Sequence, residues 1–553
     1  MLSFPNISPV AFSIFGIDFR WYALAYIAGF IGAFALMRKL AAYMFGARIS
    51  VKDLDDMVGW AVVGVIIGGR LGYVLFYNWD YYSGDLLGIL KIWQGGMAFH
   101  GGFLGAIAAI WVFARRRGLD VWALWDLAAV ATPIGLFFGR IANFINGELY
   151  GRPTDAWFGM VFPAADDAPR HASQLYQAFL EGLVLFAIMI FMFNVLRIRQ
   201  RRGVLGFSLV AFYAFFRFIV EFAREPDAHL GLFGGLSMGQ WLSMPMFIIG
   251  AAGVWWRWRR GAVPAVWSSL PILSGVDGVG HYFFTRNGGA SEGVFSSLNC
   301  RPGFSDKAHN VERNRKIVSE IAGIKKLFTV NQVHGDVIVV IDGDAPVDAV
   351  SKIDADAIIT SVPGVGIGVL TADCAPLLLS SKDGRWVAAV HCGWKSLNLN
   401  IVRKVVEKFF ALGVGAADIV AAIGPAMHQA SYEVDEDFMA PIGDPSLFRR
   451  GVGEKRLFDL VGMCVKKLRA AGVREIDVSP FDTYACDDLY FSYRRSGVRG
   501  EYGPMGPLDE GRQISVVVKR EGAAISMTEA EAENAIRPCG RRCARPVCCG
   551  GCG

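Results

Sequence analysis

The chain has 553 residues, of which 53% are hydrophobic and 19% are charged, and its formal net charge is +5. This length exceeds what one hydrophobic core supports, and the apolar fraction excludes a chain that is disordered throughout. So small a charge gives no basic footprint for nucleic acid, and we expect no nucleic-acid partner. All 10 cysteines lie after residue 262, which divides the chain into two parts of different character.

Long apolar stretches dominate residues 1–262. Seven of them approach the roughly 20 residues with which a helix crosses a bilayer. These stretches are 20–38, 57–77, 97–114, 121–141, 175–196, 204–222 and 239–258. A water-soluble bundle would have too little polar surface to cover so many apolar helices. We therefore predict an all-α polytopic membrane domain with seven transmembrane helices.

The loops between these stretches differ in charge. Basic clusters follow the first, third, fifth and seventh stretches, at 38–39, 115–117, 197–202 and 257–260, whereas acidic residues follow the other three. By the positive-inside rule, this pattern predicts an N-terminus outside the cytoplasm and a C-terminus inside it. Residues 1–19 lack the basic region and the small-residue cleavage site of a signal peptide, so we expect the first span to be retained.

Polar side chains interrupt the predicted spans. They are His100, Arg140, Asn143, Asn146, Glu148, Arg217 and Glu221. An unpaired ion inside a bilayer costs about 3 kcal/mol or more, so such residues indicate a functional site by default. Arg217 and Glu221 stand four residues apart, and a structural ion pair is the alternative for them. A transporter with charges at the membrane midplane is a rival function, but the sequence lacks paired inverted repeats.

Three of the polar segments resemble one enzyme family. Residues 95–106 (GGMAFHGGFLGA), 139–155 (GRIANFINGELYGRPTD) and 216–227 (FRFIVEFAREPD) are similar to those of prolipoprotein diacylglyceryl transferases. The resemblance implies a multi-pass enzyme of the bacterial inner membrane that performs the first step of lipoprotein maturation. Such an enzyme transfers diacylglyceryl from phosphatidylglycerol to the lipobox cysteine of a preprolipoprotein and releases glycerol phosphate. We expect no cofactor for this domain.

The resemblance also implies a set of functional positions. They are Tyr22, His100, Arg140, Asn143, Glu148, Gly151, Arg217 and Glu221. A guanidinium binds phosphate oxygens in pairs and keeps its charge in a poorly polar site, so Arg140 and Arg217 are the predicted phosphate clamps. His100 is the predicted base for the attacking thiol, and Tyr22 is expected to orient the donor lipid.

The other positions have supporting roles. We expect Asn143 and Gly151 to lie at the lipid headgroup, and Glu148 and Glu221 to orient the arginines or share the proton transfer. Because residues 1–262 contain no cysteine, a cysteine acyl-enzyme is excluded in this half.

A soluble domain is predicted for residues 276–522, after a linker at 263–275. Strand-like runs at 336–341, 366–370 and 387–390 alternate with helical stretches at 401–412 and 456–471. The order is not a regular strand–helix–strand repeat, and neither a GxGxxG nor a Walker loop is present. We therefore predict an α+β sandwich.

Three segments of this domain place a His or Cys just after an apolar run. They are NQVHG with His334, TADCAP with Cys374 and AAVHCGW with His391. Two imidazoles and a thiolate suit Zn²⁺, and three protein ligands leave a fourth position for water. Packed histidines and a buried thiol are the alternative. Cys392 is a competing ligand, but adjacent strand residues point oppositely, so His391 and Cys392 are not expected to share a metal.

The same segments resemble the laccase-domain family, also called purine nucleoside phosphorylase-like and peptidoglycan editing factor proteins. Supporting motifs are GVLTADCAPLLL (368–379), HYFFTRNGGAS (281–291) and FSYRR (491–495). The resemblance implies that His334, Cys374 and His391 bind zinc. It also implies phosphorolysis of purine nucleosides and deamination of adenosine.

Phosphorolysis needs basic residues that hold inorganic phosphate, for which Arg313, Arg494 and Arg495 are the candidates. Editing hydrolysis of peptidoglycan precursors is one alternative function, and polyphenol oxidation is another. The histidines of this half are too few for a blue-copper site plus a three-copper cluster, which argues against the oxidase.

Residues 523–553 form a Cys-rich tail with little apolar material. Cys539, Cys543, Cys548, Cys549 and Cys552 lie there among Gly, Arg and Pro. We predict a disordered extension, with a metal site at Cys549 and Cys552 as the alternative.

Overall fold

The computed structural model describes residues 2–5, 7–91, 95–163, 165–226, 232–343 and 345–521. The chain folds into two compact units, of which the first spans residues 1–275 and the second begins at Val276. The predicted linker 263–275 is thus part of the first unit. Its Trp267 accepts a hydrogen bond from the backbone of Gly46 at 3.0 Å. The predicted tail lies outside the described residues.

Each of the seven apolar stretches forms a helix in the described part of the chain. The helices are α1 (Trp21–Ala41), α2 (Val51–Tyr77), α3 (Phe99–Arg117), α4 (Val121–Ile145), α5 (Ser173–Asn194), α6 (Val204–Val220) and α7 (Met238–Trp258). Among the described residues, α1, α2, α4 and α5 are long and apolar enough to cross a membrane, and α6 is a shorter apolar helix. The apolar, helical character of this unit is confirmed, whereas the count of seven spans stays a prediction.

Short strands accompany these helices, so the unit is not purely α-helical as predicted. A hairpin of β1 (Val10–Ile14) and β2 (Ile17–Arg20) directly precedes α1. Phe15 and Gly16 form its turn with positive φ angles of 51° and 78°, as tight hairpins require. These segments of 5 and 4 residues are too short to form stable helices of their own.

A buried carboxylate joins two helices that carry predicted site residues. Asp126 of α4 is fully buried and accepts hydrogen bonds from the backbone N–H groups of Gly203 and Gly206, at 2.7 and 2.9 Å. These donors lie at the start of α6, where the backbone N–H groups have no partner within the helix. Asp126 and Gly206 lie at the starts of α4 and α6, whereas Arg140 and Arg217 lie near the ends of these helices, so the link fastens the ends away from the arginines.

Helices α2 and α3 pack through glycines. Gly64 and Gly68 of α2 face Gly101 and Gly105 of α3, and a Cβ atom added at any of them would overlap the backbone of the other helix. Close approach through small residues is typical of helices inside membranes. The contact fixes the position of α3, which carries His100.

The second unit is built around two main β-sheets. The strands are β3 (Val279–Phe284), β4 (Lys326–Phe328), β5 (Ile338–Ile341), β6 (Ala357–Thr360), β7 (Val365–Thr371), β8 (Ala375–Ser381), β9 (Val387–Cys392), β10 (Ile419–Ile423), β11 (Glu475–Val478) and β12 (Gln513–Lys519). One sheet has the order β5-β6-β9-β8-β10-β11, and the other contains β3-β12-β7-β4. A small antiparallel sheet joins Glu433–Val434, Arg456–Phe458 and Phe448–Arg450.

The two main sheets lie against each other, with helices outside them. Strands β7 and β12 contact β9. Helix α8 (Ala308–Ala322) packs on β3 and β4, and α9 (Ile401–Ala411) and α10 (Leu460–Ala470) pack on β9 and β8. Strands β8 and β9 are buried along their whole length, which explains their near-continuous apolar sequence. The predicted sheet-rich second domain is confirmed.

Candidate functional sites

Charged side chains from three helices form a continuous row in the first unit. The Nη2 atom of Arg140 lies 3.4 Å from Oε2 of Glu181 on α5, and Oε1 of Glu181 lies 4.0 Å from Nη1 of Arg217. Oε2 of Glu221 then forms ion pairs with Nη2 of Arg217 at 3.0 Å and with Nη1 of Arg224 at 3.8 Å. The carboxylates are 0% and 4% exposed, whereas the three arginines are 14% to 16% exposed. The arginines are therefore the more accessible members of the row.

Three other predicted residues lie close to one another beside this row. Asn143 follows Arg140 by one turn of α4 and donates a hydrogen bond of 2.7 Å to Oε1 of Glu148. The hydroxyl of Tyr22 accepts from Tyr26 at 3.4 Å. Tyr26 is near enough to Arg140 and Glu148 to interact with both electrostatically. Tyr22 is thus linked to the row by its hydrogen bond with Tyr26, which lies one helical turn further along α1.

The last two predicted positions in this half, His100 and Gly151, also adjoin the row. His100 interacts electrostatically with Arg217. Gly151 lies where three backbone segments meet, since a Cβ atom there would overlap the carbonyl oxygen of Ala223 and lie 2.6 Å from that of His171. The structure therefore brings all the residues predicted for this half to one region.

Three predicted metal ligands meet in the second unit, at the ends of β8 and β9. The ligand atoms of His334, Cys374 and His391 all lie within 4.8 Å of one another. Sγ of Cys374 is 3.7 Å from Nε2 of His334, and the two imidazole centroids are 4.7 Å apart. Among the described residues this is the one cluster of His, Cys, Asp or Glu side chains that fits a metal ion. Its donors suit Zn²⁺ with three protein ligands.

Asp356 orients two of the ligands. Its Oδ1 atom lies 2.7 Å from Nδ1 of His391 and accepts from the backbone N–H of His334 at 3.1 Å. The bond at Nδ1 leaves Nε2 of His391 for a metal, as in other carboxylate–histidine–metal sites. Gly393 keeps the centre open, since a Cβ atom there would lie 2.6 Å from the imidazole of His334. Cys392 belongs to the hydrophobic core instead.

The ionisable groups at this centre shift one another's pKa values. Burial opposes ionisation of the Cys374 thiol, but His391 and His334 outweigh it and lower the pKa of the thiol to about 6. Burial also opposes protonation of His391, but Cys374 and Asp356 outweigh it and raise the pKa of the imidazole to about 9. The thiol therefore ionises near neutral pH, and the thiolate is the form that binds metals.

A cavity of about 690 Å³ opens beside the three ligands. Its lining includes aromatic and basic side chains, namely Trp394, Tyr432, Phe438, Lys455, Arg494 and Arg512. The volume lies within the range of small-molecule sites, and mixed aromatic and charged walls suit a flat, polar ligand.

The three arginines predicted to hold phosphate differ in position. Arg494 lines the cavity. Arg495 is 5% exposed and donates to the backbone oxygens of Thr483 and Tyr484, at 2.6 and 2.8 Å. Arg313 is exposed on α8 and does not line the cavity. The structure thus brings Arg494 to the site and uses Arg495 to fix a loop.

Comparison with known proteins identifies the first unit. Residues 9–256 match the family model for prolipoprotein diacylglyceryl transferase. The phosphatidylglycerol–prolipoprotein diacylglyceryl transferase of Nitrobacter winogradskyi is 49% identical over 269 residues, which cover 47% of this chain and 92% of the relative. The enzyme of the same name from Azospirillum brasilense is 51% identical over 257 residues, which cover 46% of this chain and 94% of the relative. The chain belongs to the prolipoprotein diacylglyceryl transferase family.

A second family accounts for the rest of the described chain. Residues 280–518 match the family model for multi-copper polyphenol oxidoreductase laccase. The chain is thus a fusion of a transferase-family domain and a laccase-family domain. The crystal structure of Bacillus licheniformis hypothetical protein YfiH is also similar, with a TM-score of 0.42 and 26% identity, and the match covers 46% of this chain and 97% of that chain.

Sequence reasoning missed residues in both domains. In the transferase-family domain it missed Glu181 and Arg224, although Glu181 is a lone carboxylate inside the apolar run AFLEGLVLFAIMIF. That signal is the one by which the other intramembrane charges were found. In the laccase-family domain it missed Asp356, which contacts two ligands from distant parts of the sequence, and Arg512, which lines the cavity.

Proposed function

We propose that the transferase-family domain transfers the diacylglyceryl group of phosphatidylglycerol to the lipobox cysteine thiol of a preprolipoprotein. The observation that carries this proposal is the row in which Glu181 links Arg140 and Arg217. Two neighbouring guanidinium groups suit the single phosphate of the donor lipid. The names of the two relatives, both about half identical over this domain, support the same reaction.

The reaction exchanges one bond to carbon for another. The substrate thiol loses its proton, and the thiolate attacks the glyceryl carbon that carries the phosphate. A C–S bond forms as the C–O bond breaks, and the electron pair leaves with glycerol phosphate. Arg140 and Arg217 stabilise the charge that develops on this phosphate. His100, which interacts with Arg217, accepts the proton of the thiol.

The remaining residues position these groups. The 3.0 Å contact between Glu221 and Arg217 supports an orienting role for this carboxylate. The bond from Asn143 to Glu148 fixes the amide, which then meets the lipid headgroup. Tyr22 orients the donor lipid. Gly151 leaves the backbone free to approach the headgroup closely.

We place this activity in the bacterial inner membrane. The apolar helices support a membrane location. The basic clusters at 115–117 and 257–260 support a periplasmic N-terminus and a cytoplasmic laccase-family domain. Membrane lipid then surrounds the first domain, and the substrate lipoproteins reach it from the bilayer.

Substitution of the clamping arginine tests the transferase proposal. In purified full-length chain, we expect Arg140→Ala to lower transfer to a lipobox peptide by about 100-fold or more, because a phosphate charge loses its partner. Arg115→Ala is the matched control, since Arg115 lies in the last turn of α3 and stacks on Trp111. Mass spectrometry of the peptide measures the transfer. Unchanged transfer by a folded Arg140→Ala chain would refute the assignment.

For the laccase-family domain we propose a zinc-dependent activity on purine nucleosides, either phosphorolysis or adenosine deamination. The supporting observation is the cluster of His334, Cys374 and His391 beside an aromatic-walled cavity. Bound zinc would supply a water whose pKa is near 7. In that cavity Tyr432 offers a face for the base, and Arg494 offers charge for the phosphate. Of the three arginines predicted for this role we keep Arg494, because Arg313 and Arg495 do not line the cavity.

Product analysis separates this activity from its alternatives. Full-length chain is incubated with adenosine and phosphate, and chromatography detects adenine, inosine or hypoxanthine. Cys374→Ser is the control, which we expect to lose product formation because it removes the thiolate ligand. Absence of all three products would favour the hydrolase that edits peptidoglycan precursors. Oxygen consumption with a phenol would favour the polyphenol oxidase, against which the single metal cluster of the described residues argues.

A further inference from the structure

Glu181 occupies a particular place in the charged row of the transferase-family domain. It is fully buried, and its two oxygens point to different arginines, Oε2 to Arg140 at 3.4 Å and Oε1 to Arg217 at 4.0 Å. These arginines lie on separate helices, α4 and α6. No other carboxylate of the described residues contacts both. Glu181 is therefore the bridge between the two predicted phosphate clamps.

The local backbone holds Glu181 at this place. Residues Ala178–Val184, in the middle of α5, form a π-helical segment. Such wider turns are rare and occur frequently at functional sites. The next residue, Gly182, packs tightly on α4, since a Cβ atom there would lie 2.7 Å from Cβ of Phe137. Because Phe137 is close to Arg140 on the same helix, this contact brings Glu181 to the guanidinium.

The exposure of the row indicates which side a ligand reaches. Glu181 and Glu221 have 0% and 4% of their side chains exposed, whereas Arg140 and Arg217 have 16% and 14%. The carboxylates are thus more buried than the arginines that they contact. An anion that enters the site therefore meets an arginine more readily than a carboxylate.

Charge balance supports the same view. Arg140, Arg217 and Arg224 carry three positive charges, and Glu181 and Glu221 carry two negative ones. The net charge of the row is +1, which one phosphodiester neutralises. Without Glu181 the two clamps would repel each other, and the surplus charge would bind the released phosphate monoester too tightly.

We propose that Glu181 is a positioning residue that holds Arg140 and Arg217 as one phosphate-binding pair. The proposal rests on the proposed transferase function. Glu181 does not touch the substrate, and it acts through the two arginines. Its loss should affect the catalytic step and product release more than the binding of phosphatidylglycerol, because the arginines remain present but lose their geometry.

Steady-state kinetics of full-length variants test this role. For Glu181→Gln we expect kcat to fall by about tenfold or more, while KM for phosphatidylglycerol changes less than about threefold. Glu181→Asp keeps the charge on a shorter side chain and should recover part of kcat. Rates are measured in mixed micelles of phosphatidylglycerol and detergent, per mole of monodisperse protein, and the melting temperature of each variant is recorded.

Asp126→Asn is the matched control. Asp126 is equally buried in the same domain, but it accepts only backbone N–H groups of Gly203 and Gly206. We expect this variant to melt earlier than the parent chain and to keep its kcat per folded molecule. A parental kcat for Glu181→Gln would overturn the proposal. The proposal would also be overturned if kcat fell in both variants only in proportion to the loss of folded protein.

A double-mutant cycle keeps the test decisive if Glu181→Gln does not fold. If Glu181 acts through Arg140, the effect of Glu181→Asp on kcat should shrink by at least about threefold in an Arg140→Lys background. Additive effects would overturn the proposal. A parent chain without any transfer would refute the proposed function, whereas an active parent with an unaffected Glu181→Gln variant would refute this inference alone.

Discussion

Arginine side chains serve two purposes in the transferase-family domain. Arg70 is 3% exposed and donates to the backbone oxygens of Gly88 and Ile89, each at 2.8 Å. Such contacts use the guanidinium to hold backbone segments together. Arg140 and Arg217 contact carboxylates on one side and keep part of their surface open on the other. Partner type and exposure therefore separate a structural arginine from one that can bind an anion.

Gly151 gives a prediction at the residue scale. We expect Gly151→Ala to destabilise the domain by about 1–3 kcal/mol and to abolish transfer, because the new methyl group would collide with the backbone oxygens of Ala223 and His171. The melting temperature and the transfer rate of purified chain measure both effects. Gly59→Ala is the control, since a Cβ atom there meets nothing within 4 Å. Equal behaviour of the two variants would contradict the prediction.

Asp356 gives a second prediction at this scale. We expect Asp356→Asn to weaken zinc binding by about 10- to 100-fold, because His391 loses the carboxylate that fixes its tautomer and orientation. Competition with a chromogenic chelator measures the zinc affinity of the full-length chain. Asp383→Asn is the control, because Asp383 contacts the exposed Arg385 instead. Parental affinity in Asp356→Asn would show that this carboxylate does not support a metal.

At the scale of elements, the packing of α2 on α3 depends on an absence of side chains. Gly64 and Gly68 lie against Gly105 and Gly101, with the two backbones in direct contact. Lipid gives apolar helices little reason to associate, so such contacts carry much of their association energy. Gly101 and Gly105 also weaken the hydropathy signal of α3, which is not among the described helices apolar enough to cross a membrane. The absence of side chains that weakens the apolar pattern of α3 also allows the close helix packing that positions His100.

This interface can be tested by adding one methyl group. We expect Gly68→Ala to push α2 and α3 apart, lower the melting temperature and reduce transfer, at a cost of about 1–3 kcal/mol. Gly102→Ala is the control on the same pair of helices, since its Cβ atom would lie 3.4 Å from Val65, an ordinary contact. Thermal unfolding in detergent compares the two. A Gly68→Ala chain as stable as Gly102→Ala would rule out this packing.

The sequence predicted the positions of the helices more readily than local features such as the hairpin and the π-helical segment. Apolar length alone located α1 to α7, because a membrane helix must satisfy its own backbone. It could not reveal the hairpin before α1 or the π-helical segment Ala178–Val184, which depend on a turn and on packing against α4. In the second domain His334, Cys374 and His391 were predicted from their motifs. Asp356 was not predicted, because its role depends on contacts with His334 and His391, which are distant from it in sequence.

At the scale of the whole molecule, the two candidate sites lie in different folding units. The charged row belongs entirely to residues 1–275, and the metal ligands belong to the unit that begins at Val276. Each unit also has its own core, with Leu124 and Leu185 in the first and Val390 and Phe409 in the second. The described residues of each site all come from one unit, so we expect the two proposed activities to be separable.

The proposed orientation of the fusion can be tested with thiol labelling, because residues 1–262 contain no cysteine. Ser13 lies in β1, is exposed and differs from cysteine by one atom. In intact spheroplasts we expect a membrane-impermeant maleimide to label the Ser13→Cys chain and to leave the parent chain unlabelled, since positive-inside orientation places every native cysteine in the cytoplasm. Permeabilised, denatured cells should show labelling of both chains, which is the control for thiol reactivity. Labelling of the parent chain in intact spheroplasts, or of Ser13→Cys only after permeabilisation, would reverse the orientation.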